Sequence, residues 1–446
     1  MPHRAFALGR NYLLSLGGEG VQSGFHFVLN LVLIRALTAY DYGVFAIIFI
    51  LGGISLTYCN ALVSVPATVH IPKLRSPGAA DFQEVVFGSV ALAISTAVAT
   101  IVAAGLWLTI APGGQALAGG AFVGLWTLRN HLRATMFARR VILTAAVSDA
   151  SYAASGMALV GLLLWWQGGG PQMTALLSVL AAANAIAITL ALKSLGKPVR
   201  ISFGRGVRSR YRAIWSEIAW SLLGVTAWNI QGQALMFLVA AIVGPAAYAP
   251  IAAGIVLFSP LRQVVGAFIN VVRPEFAAGL ASGRYQRVKL TLYVSSAASV
   301  LCCLAYGTGL WLGWAFLDEH IFGDKFAQAP MPLIVALAGV SAIVSLSYHL
   351  PLSLIQAARR FKDAALATMF GGIVGLGAVL TLLLVSTVAW SLAGVAAGEA
   401  VCWVYLWVAA LRVLMSAPAS LFLASGFRST TPIAAHQITP ATGLNL

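Results

Sequence analysis

The stretch LLSLGGEGVQSGFHFVLNLVLIRAL, residues 13–37, is long enough to cross a bilayer and carries an ordered set of polar side chains. Glu19, Gln22, Ser23, His26 and Asn30 recur at spacings of three and four, which places them on one helical face, with Val21, Phe25, Val28, Leu29 and Val32 mainly on the others. Ionisable groups at membrane depth cost about 2.5–3.5 kcal/mol each on insertion scales, so they usually face a bundle interior and mark a substrate or ion path. The spacing predicts a hydrated cavity beside this helix. Polar glue between helices is the competing reading, and it suits Gln, Ser and Asn.

The rest of the chain has the same character. Of 446 residues, 60% are hydrophobic and 9% charged, with a mean hydropathy of +0.90. Arg4 and Arg10 precede an apolar run, as in a signal peptide, but the run is long, contains Glu19 and His26 and lacks a small-residue cleavage site; it reads as a retained first span. Spans of about 20 residues recur at 13–37, 43–65, 85–109, 115–137, 141–165, 173–193, 214–242, 247–271, 288–316, 330–356, 364–388 and 391–415. The four cysteines lie inside these runs without metal-ligand spacing, so no metal and no cofactor are expected.

A net charge of +15 suits nucleic acid in a soluble chain, so the placement of the basic residues decides. Of 27 Lys and Arg, 24 fall at alternate connections and the two ends; connections such as 110–114, 166–172 and 244–246 hold almost none. Cytoplasmic loops carry such an excess, which predicts both termini inside and a plasma-membrane location, with no nucleic-acid partner. The three exceptions are Arg35, Arg262 and Lys325.

Weak internal matches recur at offsets of 220, 203 and 206 residues: Ala138-Arg139-Arg140 with Ala358-Arg359-Arg360, Phe82-Gln83-Glu84-Val85 with Tyr285-Gln286-Arg287-Val288, and 37–42 with 243–248. Together they indicate a tandem duplication. Six spans per half give both halves one orientation, related by an axis along the membrane normal, with a cleft between. The expected architecture is an all-α polytopic membrane protein with about 12 transmembrane helices in two six-helix lobes. The N-terminal lobe covers 1–193 and the C-terminal lobe 214–415. Linker 194–213, rich in arginine, is expected against anionic lipid at the cytoplasmic face. The Pro/Thr/Ala-rich tail 416–446 is expected to be disordered.

The segment LIRALTAYDYGVF at residues 33–45 resembles the Arg-x-Leu-Thr-x-x-x-Tyr-Gly-x-Phe signature of polysaccharide-export flippases, the Wzx-like members of the multidrug/oligosaccharidyl-lipid/polysaccharide (MOP) superfamily. The resemblance covers residues 1 to about 415. It implies alternating access and a polyprenyl-diphosphate-linked oligosaccharide moved from the inner to the outer leaflet, for lipopolysaccharide or exopolysaccharide assembly alongside other polysaccharide-assembly membrane proteins. The second-half copy, Gly244-Pro245-Ala246-Ala247-Tyr248-Ala249, has no Arg and no Tyr-Gly pair, so any role of Arg35 is not shared by the other lobe.

A lipid diphosphate needs cations or hydrogen-bond donors along a hydrated path. Arg262, just after Pro260 in the eighth span, is the first candidate, by binding the diphosphate or by pairing with Glu19 or Asp149. Arg129 and Arg133, at i and i+4, are placed to receive the diphosphate at an inner entrance or to snorkel from a helix end. Glu19, His26 and Asn30 of the first span, with Asn229 and Gln233 of the seventh, complete the expected cavity lining, and Arg35 is a rim residue with a structural or release role. Glu19, Asp149 and Glu399 are coupling-ion candidates and keep open a cation-coupled multidrug exporter of the same superfamily. No Asp-x-Asp, HExxH, phosphate loop or nucleophile elbow is present, and the one long outer connection is 317–329, so no catalytic residues are expected.

Overall fold

The computed structural model describes residues 2–424 apart from 75, 111, 140, 169, 196–199 and 359. The described residues are helical throughout, with no strand. A helical rod occupies each of the twelve expected spans: Pro2–Ala36, Ala39–His70, Pro77–Thr109, Gly113–Ala138, Ile142–Trp166, Met173–Leu195, Trp215–Asn229 continuing to Val243, Pro245–Val256 with Ser259–Ala281, Tyr285–Leu312, Met331–Ala357, Phe361–Val385 and Ser391–Ala424. Nine of these are long and apolar enough to cross a membrane on composition alone, and the bent pair Pro245–Val256 and Ser259–Gly266 makes a tenth. The first and fourth have the length but carry the polar side chains of the site. The last helix runs through Ala424, beyond the expected start of the tail at 416; the remainder of the tail, Lys197 of the linker, and Arg75, Arg140, Arg359 and Arg428 lie outside the described residues.

The packing repeats with a shift of six spans. The third packs on the fourth, the fourth and fifth on the sixth, and the first on the fifth; the ninth packs on the tenth, the tenth and eleventh on the twelfth, and the seventh on the eleventh. The two lobes are thus versions of one six-helix unit. Small residues let backbones approach inside each: Gly371 and Gly375 lie against Gly394 and Gly398 where the eleventh and twelfth spans cross.

The lobes meet through the second and eighth spans, at the end of the bundle opposite the basic connections. A Cβ on Gly43 would come within 3 Å of Pro245 backbone atoms, so only glycine permits this approach. Tyr42 and Tyr248 are both buried beside it. A clamp adds to the seal. Arg35 Nη1 donates to the carbonyls of Glu319 (2.8 Å) and His320 (3.1 Å), while Lys325 Nζ donates to the carbonyls of Ile34 and Arg35, tying the first span to the 317–329 connection of the other lobe. Burial and then the neighbouring Arg35 lower the Lys325 pKa.

At the basic end the seventh span packs on the second, and side-chain hydrogen bonds join them. Asn229 Nδ2 donates to Thr57 Oγ1 (2.7 Å) and Tyr58 OH to Thr226 Oγ1 (3.2 Å), beside a π-helical turn in each span, Asn60–Ser64 and Ile230–Ala234. The short helix Arg205–Ala213 lies on this end. Its Val207 is buried, Arg210 Nε donates to Gln83 Oε1 (3.0 Å), and Tyr211 OH donates to the Leu62 carbonyl (3.1 Å). Burial pushes the Tyr211 hydroxyl up to about 12. Arg139, although burial opposes its charge, is held above its ordinary value by Glu84 and Asp81.

Gly43→Ala places a methyl group against Pro245 and is expected to open this end, at an overpacking cost of about 1–3 kcal/mol. Electron–electron resonance between spin labels at Tyr40 and Ala246 should then show a longer distance distribution than in the Gly43 protein; an unchanged distribution would mean that the contact does not hold the lobes together.

Candidate functional site

The polar side chains separate into two groups. The first lies inside the N-terminal lobe. Asp149, from the fifth span, is 1% exposed and receives a guanidinium on each oxygen: Arg129 Nη1 at 3.0 Å on Oδ1 and Arg133 Nε at 2.7 Å on Oδ2. Arg129, also 1% exposed, donates through Nε to Asn184 Oδ1 (2.9 Å) and lies over the Tyr152 ring, 4.1 Å from its centroid. Arg133 reaches Glu19 Oε1 at 3.2 Å, and Glu19 is 47% exposed. Gly18 makes room, since a Cβ there would stand 2.8 Å from Asp149 Oδ2. His26 belongs to the same lobe, with Nε2 3.0 Å from Tyr152 OH and its ring edge-on to Trp126 and Phe49.

The structure places Arg129 and Arg133, expected at an inner entrance or snorkelling from a helix end, as the two halves of a clamp on Asp149, on one helical face by their i, i+4 spacing. The alternative for Arg262, a pair with Glu19 or Asp149, is not formed: among the described residues both carboxylates pair with the fourth span.

The second group lines a cavity of about 500 Å³ between the lobes, just on the basic side of the Gly43–Pro245 seal. Asn30, Phe49 and Trp126 contribute from one lobe, and Trp228, Gln233, Arg262, His349 and Glu399 are prominent from the other. Gln233 packs across the boundary onto Gly53, and Asn30 donates to the His26 carbonyl (2.8 Å). Arg262 stands one turn beyond the break in the eighth span. Pro260 lacks the N–H that the Val256 carbonyl would accept from in a continuous helix, and within the break the Leu257 carbonyl accepts from Tyr306 OH (2.6 Å). Among the described residues no hydrogen bond or ion pair engages the Arg262 guanidinium, and the residue is exposed.

Glu399 differs from Asp149 in its partners. Its Oε2 accepts from Tyr348 OH (2.6 Å) and from Gln231 Nε2 (3.2 Å), both neutral. Gln231 is buried with its Oε1 unpartnered, as is Trp126 Nε1. His349 Nδ1 bonds the Ser345 carbonyl (2.6 Å), which requires a proton on Nδ1 and leaves Nε2 for a ligand. An amide beside a carboxyl serves either protonation state, because NH2 donates to the ionised form and the carbonyl accepts from the acid after a flip. Guanidinium has no acceptor, so Asp149 has no such latitude.

Of the expected residues, the cavity brings together Asn30, Gln233, Arg262 and Glu399. Asn229 sits at the lobe contact, Arg35 in the far clamp, and Glu19, His26, Arg129, Arg133 and Asp149 in the N-terminal lobe. Gln231, Tyr348 and His349 were missed; the polar pair 348–349 next to Pro351 in an apolar span was the available signal. Among the described residues no cluster of three metal-ligating side chains occurs.

No family model and no curated protein sequence matches the chain. Solved structures do. An inward-facing multidrug-resistance MATE transporter of the MOP superfamily superposes with a TM-score of 0.67 at 11% identity, covering 90% of this chain and 96% of that one. The fold is that of the MATE transporters. An outward-facing MATE transporter gives 0.55 at 12% identity, covering 93% and 96%. A MOP transporter from Pyrococcus furiosus, described as having a binding pocket of reversed polarity, gives 0.58 at 12% identity, covering 92% and 96%. The two-lobed, twelve-helix expectation holds, and the chain is a multi-pass membrane protein.

Asp149→Asn removes the carboxylate that the two arginines share, leaving the buried Arg129 without its counter-charge and Arg133 with Glu19 alone, and is expected to destabilise the N-terminal lobe by about 3–5 kcal/mol. Glu19→Gln should cost under about 1 kcal/mol, because that pair is half exposed. Thermal unfolding of the purified variants compares them; equal midpoints would show that the clamp is not what holds the fifth span to the fourth.

Proposed function

We propose that the protein is a flippase that carries a polyprenyl-diphosphate-linked oligosaccharide from the inner to the outer leaflet by alternating access. The observation that carries this reading is Arg262, an exposed guanidinium in the central cavity without an ion pair among the described residues. A guanidinium offers a planar fork of donors that fits phosphate oxygens two at a time. Trp126, Trp228 and Phe49 supply flat apolar faces against which sugar rings pack. The signature at residues 33–45 supports the same substrate class.

The basic-loop bias supports both termini in the cytoplasm, and with that orientation the cavity faces the leaflet where such lipids are made. The exposed arginines of Arg205–Ala213 then lie at anionic headgroups, about 1 kcal/mol each. Outward transfer of a diphosphate from a negative interior is favourable by about 2.3 kcal/mol per charge at 100 mV, so the potential alone can drive it. Where a coupling proton is used, Glu399 is the carboxylate with the right partners, and Glu19 and Asp149 are occupied by arginine.

One observation favours a second reading, a cation-coupled multidrug exporter: a carboxylate, Glu399, stands in the cavity wall, and several similar folds belong to multidrug MATE transporters. The two readings assign the substrate contact to opposite charges.

In the flippase reading Arg262→Gln, at normal abundance, lowers export roughly tenfold or more, the loss of a charged hydrogen bond, with lipid-linked oligosaccharide accumulating on the cytoplasmic leaflet. Arg262→Lys restores part of it. In the exporter reading Arg262→Gln leaves drug efflux intact and Glu399→Gln abolishes it. Leaflet-resolved labelling of the lipid-linked oligosaccharide and dye efflux from the same cells separate them.

A further inference from the structure

A second concavity, of about 510 Å³, lies on the C-terminal lobe between the eleventh and twelfth spans. Its walls are Phe370, Val401, Val404, Tyr405 and Val408, with the Phe370 and Tyr405 rings 6.2 Å apart between centroids. Its rim at the basic end carries Arg360, Asp363 and Arg412. We propose that this groove binds one anionic phospholipid of the leaflet at the basic end, acyl chain along the wall and phosphate at the two arginines.

Three observations carry the assignment. The first is length. Arg360 to Phe370 and Arg412 to Ala400 are ten and twelve residues of continuous helix, about 15 and 18 Å at about 1.5 Å per residue, against about 15 Å for half of a ~30 Å hydrocarbon core. The groove matches one leaflet. The second is exposure: Val404 and Val408 are exposed large side chains, so the wall faces lipid rather than the lobe interior. The third is charge. Arg360 pairs with Asp363 through Nε (2.6 Å), which spares its other donors, and Arg412 adds a second positive charge across the groove, leaving the rim with a net +1 that a phosphodiester completes.

The placement gives the lipid a structural consequence. Ala400 and Val401 follow Glu399 directly on the twelfth span, so the groove and the central cavity occupy different faces of one helix turn. An occupant supports that turn from behind. A polyprenyl chain is longer than a leaflet and the groove shares no lining residue with the cavity, which favours a bilayer phospholipid over the substrate's tail.

Native mass spectrometry of the full-length protein released from detergent tests this with phosphatidylglycerol, phosphatidylcholine and polyprenyl phosphate as probes. The wild type should retain one phosphatidylglycerol where it retains no phosphatidylcholine. Arg360→Gln with Arg412→Gln should lower that retention roughly tenfold, and Val404→Trp, which fills the groove without touching the charges, should remove it independently. Equal retention of the two phospholipids by the wild type, or undiminished phosphatidylglycerol in Val404→Trp, would overturn the proposal. Preference for polyprenyl phosphate would overturn the choice of a bilayer lipid. Retention is read without transport, so the outcome stands apart from which substrate the central cavity takes.

Discussion

A charge placed among lipid tails must be neutralised by a neighbour or wetted by a cavity, and this chain uses both solutions in different lobes. Asp149 is neutralised: two guanidinium groups occupy its two oxygens, and the arginines in turn are satisfied by Asn184, Tyr152 and Glu19. The four charges sum to zero and pin the first, fourth, fifth and sixth spans into one unit. Arg262 and Glu399 follow the other course. They stand in the cavity wall with neutral hydrogen-bond partners or none among the described residues, so their charges are available to whatever enters.

On the alternating-access reading, that division fits a molecule that must move without coming apart. Each lobe is closed on itself by packing and, in the N-terminal lobe, by ion pairs, whereas the lobes pack on each other chiefly along the second and eighth spans, whose buried apolar residues belong to one shared core. At the sealed end that packing is joined by a backbone approach at Gly43 and by arginine and lysine bonds to carbonyls, which water can replace. At the other end side-chain hydrogen bonds join the second and seventh spans beside π-helical turns, where a spare backbone residue lets the helix change pitch.

Much of this was legible in the sequence because the bilayer imposes a simple rule on it. Apolar length gave the twelve rods, and the repeated contacts between spans agree with the weak internal matches. The three-and-four spacing of Glu19, His26 and Asn30 gave a helical face but not what that face meets. Arg129 and Arg133 show the limit: their partners come from helices 16 to 114 residues away, and nothing in periodicity distinguishes a clamp from a free entrance. Gln231, Tyr348 and His349 escaped because polar residues of these types are common in spans, and the convergence of Gln231 and Tyr348 on Glu399, with His349 stacked on Tyr348, exists only in three dimensions.

The neutral partners of Glu399 also link its proton to the charge of the cavity. On the flippase reading, an ionised Glu399 offsets Arg262 and leaves the cavity near neutrality, whereas a protonated Glu399 leaves Arg262 as an uncompensated cation that favours a diphosphate. Tyr348 and Gln231 accommodate either state without moving a helix, since the hydroxyl and the amide can each donate or accept. Proton gain would thus strengthen capture and proton loss would favour release, with the sign set by the arginine. The same carboxylate opposite no arginine would work in reverse, binding a cation when ionised. On that reading, the charge at Arg262, more than the arrangement of the helices, decides which substrate the cavity takes.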